Sequence, residues 1–271
     1  MWILISPMMA FSLFDEETSD KEYLQLITSV KEVTIHTQQV RGLTNSFKNG
    51  NVAAQLLVYA QREKLDNDFK ALELLIKKTK LDASISGDAQ KLMKDIKKLN
   101  SKAFRKESAT VFSAYTSVIE SWMVVNGKII NTYFKKGDVK IYNALLMMNN
   151  TLLPLTENIG KLRGMGSGIV ARGSCNKSET PKMQMFATNI ETYRIQMQKY
   201  FKTNGCRRFS TRKLAQFNLK IEDYTVLVEE KVLGKKEIKL DANNYFDQGT
   251  GCITDIVSIY NAMAEEIGKQ L

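Results

Sequence analysis

A spacing of alternating four and three residues runs twice through this chain, and no other feature limits its fold so strongly. Side chains at that spacing share one face of an α-helix and form a seam that packs into a helical bundle. The first seam spans residues 23–44 and the second spans residues 145–166. Their members are Tyr23, Ile27, Val30, Thr34, Thr37, Arg41 and Thr44, then Leu145, Asn149, Leu152, Thr156, Ile159, Arg163 and Gly166.

The two seams are related by an internal repeat. A shift of 122 residues (163 minus 41) lays QQVRGLT at 38–44 on GKLRGMG at 160–166. Arg41-Gly42 then falls on Arg163-Gly164, so both arginines occupy the same seam position. The repeat therefore predicts a chain made of two similar helical halves, each with an arginine directed toward the interior.

Turn residues divide the chain into eight predicted helices. We place them at residues 16–48, 51–81, 86–103, 107–136, 138–172, 180–203, 211–232 and 242–270, and Asp241 is a natural N-cap for the last one. Short connections between long helices make neighbouring helices antiparallel. We therefore expect an all-α protein of two up-and-down four-helix bundles, with residues 16–136 and 137–271 as the two halves of one module.

Composition removes most other classes of protein. Three prolines in 271 residues favour long helices, and a net charge of +10 favours anionic partners. The lysines are scattered along helix faces, so no nucleic-acid partner is expected. The single histidine, His36, follows Val33 where a di-iron bundle needs a glutamate, and no nucleophile elbow is present. We expect neither an enzyme nor a metal or organic cofactor.

The seam arginines are the candidate binding residues. A guanidinium inside a helical core is costly unless it meets an anion or hydrogen-bonding partners. Its planar fork of donors suits a planar oxyanion such as nitrate, nitrite or a carboxylate. The alternative is a structural ion pair with a neighbouring glutamate, for instance Glu120 or Glu157, and the sequence leaves both interpretations open.

Small and hydroxyl-bearing residues surround both arginines. Glycine removes side chains where a second helix or a ligand must approach closely, and hydroxyl groups on the same face add donors. The predicted ligand-binding set is Arg41, Arg163, Gly42, Gly164, Thr37, Thr44, Ser167 and Arg172. The competing interpretation is that the GMGSG segment at 164–168 simply ends the fifth helix.

These motifs resemble the nitrate- and nitrite-sensing domain of bacterial signalling proteins. QQVRGLT in the first helix and LRGMGSGIVARG in the fifth are similar to the family's arginine-glycine elements, although Val40 stands where a charged residue is often found. The resemblance implies a helical sensory module that binds nitrate or nitrite through Arg41 and Arg163, with Arg172 or Arg194 as a further basic residue. A receptor for another small anion, such as an organic acid, and a structural or adaptor bundle remain the alternatives.

The resemblance also bears on partners and location. Family members usually precede an output module. Two expectations follow: the chain is a stand-alone sensor subunit if the sequence is complete, and the output region has been cut away if it is a fragment. We therefore expect helix shifts to be read by a separate membrane sensor kinase or chemoreceptor-type partner, with a homodimer as a further option. The apolar stretch at residues 1–15 is expected to be a leader or signal remnant, cleaved after Ala10, which favours a periplasmic bacterial location.

The three cysteines allow one geometric expectation. Cys175 and Cys206 flank a helix of about 36 Å and cannot pair. Cys175 and Cys252 should lie toward the same end of the bundle and form the only plausible disulfide, although we expect all three thiols to be reduced.

Overall fold

The computed structural model describes residues 18–271, and these residues form eight helices without a strand. The fifth helix consists of three consecutive segments, which we treat together as α5. The helices are α1 (Asp20–Lys48), α2 (Ala54–Lys78), α3 (Ala83–Lys102), α4 (Ser108–Tyr133), α5 (Val139–Met147, Met148–Leu152 and Leu153–Arg172), α6 (Thr180–Asn204), α7 (Thr211–Lys231) and α8 (Ala242–Gly268). The predicted all-α bundle fold is confirmed.

Helix ends follow local capping chemistry. Ser19 and Glu22 form a reciprocal capping box at the start of α1. The carboxylate of Asp241 accepts a hydrogen bond from the backbone N–H of Asn244 at 2.7 Å, which confirms the predicted cap of α8. The largest differences from the predicted bounds are about three or four residues. One example is α3, which begins earlier than expected because Asp82 caps it through the N–H groups of Ser84 and Ile85.

The fifth helix contains a single π-helical turn at Met148–Leu152. This turn comes immediately before Pro154, which has no N–H to donate and whose ring would clash with the carbonyl four residues earlier in a regular α-helix. Widening the helix by one residue before the proline lets α5 continue to Arg172. Gly173, with φ of 76°, then ends the helix.

Two helices form the centre of the molecule. In the first half α1 packs against α2 and α4, with α3 on α2 and α4, while in the second half α5 packs against α6 and α8, with α7 between those two. The halves meet mainly where α1 contacts α5. The predicted division at residues 136 and 137 falls in the turn between α4 and α5.

The glycine-rich segment is fully helical, so the interpretation that it ends the fifth helix is wrong. Its glycines serve close packing instead: a Cβ at Gly164 would lie 3.6 Å from the Cα of Gly42, where α1 and α5 cross. A Cβ at Gly166 would lie only 1.9 Å from the hydroxyl oxygen of Tyr245 on α8. At Gly166 the helix penalty of glycine is therefore offset by an interhelical contact that a larger residue does not permit.

Three further expectations concern the periphery. The predicted leader, including Ala10, lies outside the described residues. Among residues 18–271, no helix is both long enough and apolar enough to cross a membrane. Cys175, Cys206 and Cys252 are all free thiols, so the pairing of Cys175 with Cys252 is not formed.

Candidate anion-binding site

Both seam arginines lie in the interior, as their spacing predicts. Arg41 and Arg163 are each 1% exposed, which places them among the largest fully buried side chains in the described part of the chain. The positions of both seams are buried except Tyr23, which is half-buried at the start of α1. The question raised by the sequence is therefore what neutralises each guanidinium.

Arg41 is neutralised by Glu157 of α5. Its Nη1 and Nη2 donate to the two carboxylate oxygens at 2.5 and 3.0 Å, which is the bidentate geometry of a strong charge-assisted pair. Nη1 also donates to Thr116 Oγ1 at 2.8 Å, and the guanidinium lies 4.8 Å from the ring centre of Phe112. For Arg41 the ion-pair interpretation with Glu157 is therefore correct, whereas Glu120 pairs with Lys161 at 2.7 Å.

Among residues 18–271, no carboxylate pairs with Arg163. Its Nη1 donates to Thr250 Oγ1 at 2.8 Å, and its guanidinium lies 4.5 Å from the ring centre of Phe246. Its Nε and Nη2 are buried and make no hydrogen bond to any of the described residues. Buried donors without partners are rare in proteins, because each loses its water without replacement.

Burial makes the charged form of Arg163 energetically unfavourable. Burial lowers the pKa of Arg163 to about 10, and the nearby positive charge of Arg41 lowers it further while Glu157 raises it. The residue still carries its charge at neutral pH. An anion beside it would compensate the burial and satisfy the free donors at the same time.

Tyr224 of α7 supplies another free donor next to Arg163. A Cβ at Gly249 would lie 2.8 Å from Tyr224 Oη and 3.0 Å from Arg163 Cβ, so the two side chains adjoin the same glycine. The hydroxyl of Tyr224 is buried and makes no hydrogen bond in the described part of the chain, although the ring of Tyr245 lies 5.5 Å from the Tyr224 ring. Burial raises the pKa of Tyr224 well above its usual value, so this hydroxyl stays protonated and can donate.

The remaining predicted site residues have different surroundings. Thr37 donates to the carbonyl of Val33 at 2.7 Å, and Ser167 donates to the carbonyl of Gly164 at 3.2 Å, so each hydroxyl is used within its own helix. Thr44 Oγ1 is buried and unpartnered. Their roles as ligand contacts stay predictions.

The two other basic candidates are paired with acids. Arg172 is partly exposed and donates to both oxygens of Glu179 at 2.7 Å. It follows Arg163 by nine residues, or about 13 Å along the helix. Arg194 pairs with Glu191 through bonds of 2.6 Å. The structure does not bring either residue to the two buried arginines.

Sequence reasoning missed the residues that complete each arginine's surroundings. Phe112 and Thr116 on α4 contact Arg41, and Phe246 and Thr250 on α8 contact Arg163. The signal was present as Phe-x-x-x-Thr in FSAYT and FDQGT, but at a shift of 134 residues (250 minus 116) rather than 122. The different shift hid the second part of the repeat. Within residues 18–271, no group of three or more His, Cys, Asp or Glu side chains could hold a metal ion.

Comparison with known proteins agrees with this geometry. The family model for nitrate and nitrite sensing matches residues 32–268, whereas no curated protein sequence matches significantly. Among solved structures, the NasR transcription antiterminator has a similar fold, with a TM-score of 0.73 at 11% identity over 92% of this chain and 68% of that one. The matched family is sensory rather than catalytic. Because its model covers most of the sequence, this chain belongs to the nitrate- and nitrite-sensing family.

Proposed function

We propose that this protein is a sensory module that binds nitrate or nitrite at Arg163, in the interior formed by α1, α5, α7 and α8. The observation that carries the proposal is a fully buried guanidinium whose Nε and Nη2 have no hydrogen-bond partner in the part of the chain that the structure describes. These two nitrogens form one edge of the guanidinium fork. Two oxygens of a flat monovalent anion match that edge, and the single charge neutralises the arginine.

The surroundings of Arg163 favour a small ligand. The ring of Phe246 covers one face of the guanidinium, and Gly42 of α1 lies close to its free Nη2, since a Cβ there would be 3.5 Å away. The Tyr224 hydroxyl, which adjoins Gly249 beside the Arg163 side chain, adds a neutral donor. A ligand admitted among these closely packed groups has to be an ion of only a few atoms.

The position of Arg163 also suggests how binding is transmitted. An anion held by Arg163 on α5 and adjoining Gly42 would connect the two central helices. A change in the contact between α1 and α5 would then move the two halves by a small helix shift, which a separate signalling partner reads. A membrane kinase or chemoreceptor-type protein is the partner that we propose.

Isothermal titration with nitrate, nitrite, chloride and acetate tests the ligand assignment. We expect saturable heat with nitrate or nitrite in the parent protein and none in Arg163→Met. Arg172→Met is the matched control, because it removes a partly exposed arginine from the same helix and should bind like the parent. The assignment is wrong if Arg163→Met, folded by circular dichroism, binds as tightly as the parent.

Two further measurements define the site. Tyr224→Phe removes one hydroxyl and no charge, and we expect it to weaken nitrate binding about tenfold, which corresponds to the loss of one hydrogen bond to a charged acceptor. Hydrogen exchange should show added protection near Gly42 of α1 and near Thr250 of α8 when nitrate binds. Protection confined to exposed helix ends would contradict a ligand between the central helices.

One observation favours a second candidate ligand. The equivalent arginine, Arg41, already holds a carboxylate, that of Glu157, in bidentate geometry. A free organic acid is therefore the alternative to nitrate at Arg163. Acetate binding tighter than nitrate and nitrite in the same titration would assign the protein to organic-acid sensing instead.

A further inference from the structure

The two arginines occupy equivalent cages, each built from the same three side chains. In each half a central-helix arginine donates to a threonine at 2.8 Å on the last helix of that half. A phenylalanine four residues before the threonine stacks on the guanidinium, at 4.8 Å for Arg41 and 4.5 Å for Arg163. We call these the Arg41 cage (Arg41, Phe112, Thr116) and the Arg163 cage (Arg163, Phe246, Thr250).

Each guanidinium also reaches across to a glycine of the other central helix. A Cβ at Gly160 of α5 would lie 3.1 Å from Arg41 Nη2, and a Cβ at Gly42 of α1 would lie 3.5 Å from Arg163 Nη2. A glycine of the opposing central helix therefore adjoins the donors in both cages. The two halves share the arginine, the aromatic ring, the hydroxyl and this adjoining glycine.

The cages differ in one residue. Glu157 fills the Arg41 cage, and its position in the repeat corresponds to Ile35 in the first half (157 minus 122). Ile35 is a buried hydrocarbon side chain and cannot neutralise Arg163. Glu157 itself is 1% exposed, so the positive charges that neutralise it must lie within contact distance, and Arg41 is nearer to it than Lys161.

The Arg41 cage has a route to solvent. Phe112 and Thr116 line a surface groove of about 450 Å³ between α4, α5 and α6. Lys161, Arg172 and Lys182 line the same groove together with Glu107 and Glu179, so its basic side chains outnumber its acidic ones by one. Lys161 Nζ also lies 3.6 Å from Glu157 Oε1, which places a second cation beside the carboxylate.

From this geometry we infer that Glu157 is a built-in carboxylate ligand that occupies the Arg41 cage, leaving a latent second site for planar oxyanions there. The inference deepens the proposed function and rests on it for the Arg163 cage alone. In the parent protein one cage takes an anion from solution and the other takes its anion from the chain. Glu157 thereby limits the protein to one exchangeable anion.

The test transfers binding from one cage to the other. Arg163→Met should abolish nitrate binding at the Arg163 cage. Adding Glu157→Ala to that variant removes the internal ligand, and we expect saturable nitrate, nitrite and acetate binding to reappear at the Arg41 cage. Adding Glu120→Ala instead is the matched control, because it removes a partly exposed glutamate that also pairs with Lys161, and it should restore nothing.

A thermal measurement keeps the test decisive if removal of Glu157 weakens the fold. At constant ionic strength, nitrate or acetate at about 100 times the Kd should raise the Tm of Arg163→Met/Glu157→Ala by about 5 °C or more. The same anions should leave Arg163→Met unchanged. Absence of both heat and stabilisation in the double variant overturns the inference.

Failure of the two proposals can be told apart. If the parent binds nitrate and the double variant does not, the latent site is refuted and the Arg163 assignment stays intact. If the parent binds no anion and the double variant does, the assignment to Arg163 is refuted and the role of Glu157 is supported. Binding by neither protein rejects both proposals.

Discussion

Replacing each buried arginine by methionine should change stability in opposite directions in the absence of anions. Arg41→Met leaves Glu157 as a buried carboxylate that has lost its bidentate partner at 2.5 and 3.0 Å. Breaking a buried pair in this way costs about 3–5 kcal/mol. For a protein of this size that corresponds to a Tm lower by roughly 6–20 °C.

Arg163→Met removes a charge that nothing pairs. Burial lowers the pKa of Arg163 from its ordinary value to about 10, and this difference corresponds to about 3 kcal/mol. The substitution also loses the hydrogen bond to Thr250, worth about 1 kcal/mol, and the contact with Phe246, worth about 0.5–1 kcal/mol. We therefore expect Arg163→Met to be more stable than the parent by about 1–2 kcal/mol.

Thermal and urea unfolding in an anion-poor buffer measure both effects. Arg172→Met, which breaks a partly exposed pair, should stay within about 1 kcal/mol of the parent. Nitrate should then stabilise the parent and leave Arg163→Met unchanged. If Arg163→Met loses as much stability as Arg41→Met, Arg163 has a partner inside the protein and the argument for a vacant cage is refuted.

Three other predictions test the packing, the thiols and the charge. Gly166→Ala should lower the free energy of unfolding in urea by about 1–3 kcal/mol, because the added Cβ meets Tyr245 Oη. Gly87→Ala, which is exposed on α3 with nothing within 4 Å, should raise it by about 0.5–1 kcal/mol. Equal effects of the two substitutions would contradict the close contact between α5 and α8. Burial raises the pKa of Cys252 to about 12. A thiol-reactive disulfide reagent at about pH 8 should therefore label two thiols in the native protein and the third only after unfolding. Rapid reaction of all three thiols would mean that α8 does not stay packed around Cys252. Only the charged form of Arg163 binds the anion, and the pKa of Arg163 is lower in the folded protein than in the unfolded chain. Nitrate affinity should therefore be level from about pH 6 to 9 and fall as the pH rises through about 10. Titration calorimetry measures this profile, and an affinity that falls near neutral pH would contradict the assignment.

The helices and the seam were accessible from sequence because they depend on local periodicity. The four-three spacing that contains Arg41 and Arg163 required only the geometry of a single helix, and both side chains are buried as predicted. The cap of α8 followed from Asp241 alone. The bounds of α2 and α3 were less accessible, since frayed turns and an earlier cap move a helix end by a few residues without changing its periodicity.

The partners of the two arginines were decided only by the tertiary structure. Arg41 meets Glu157 across 116 residues of chain, and Arg163 meets Thr250 across 87 residues. Glu120 was an equal candidate in the sequence, but it is exposed on α4 and pairs with Lys161. The residue pattern along the chain fixes which face of a helix a residue occupies. The angle and the distance between helices decide which carboxylate of a neighbouring helix contacts the arginine.

The sequence by itself therefore determined an all-helical, duplicated chain with one inward arginine in each half. With 3.6 residues per helical turn, the spacing of residues along the chain fixes which face of the helix they occupy. Only the packed structure decided that Arg41 meets a carboxylate, whereas Arg163 meets none among the described residues. That difference depends on where α1 crosses α5 at Gly42 and Gly164, since the crossing brings a carboxylate to Arg41 and only a glycine to the free edge of Arg163.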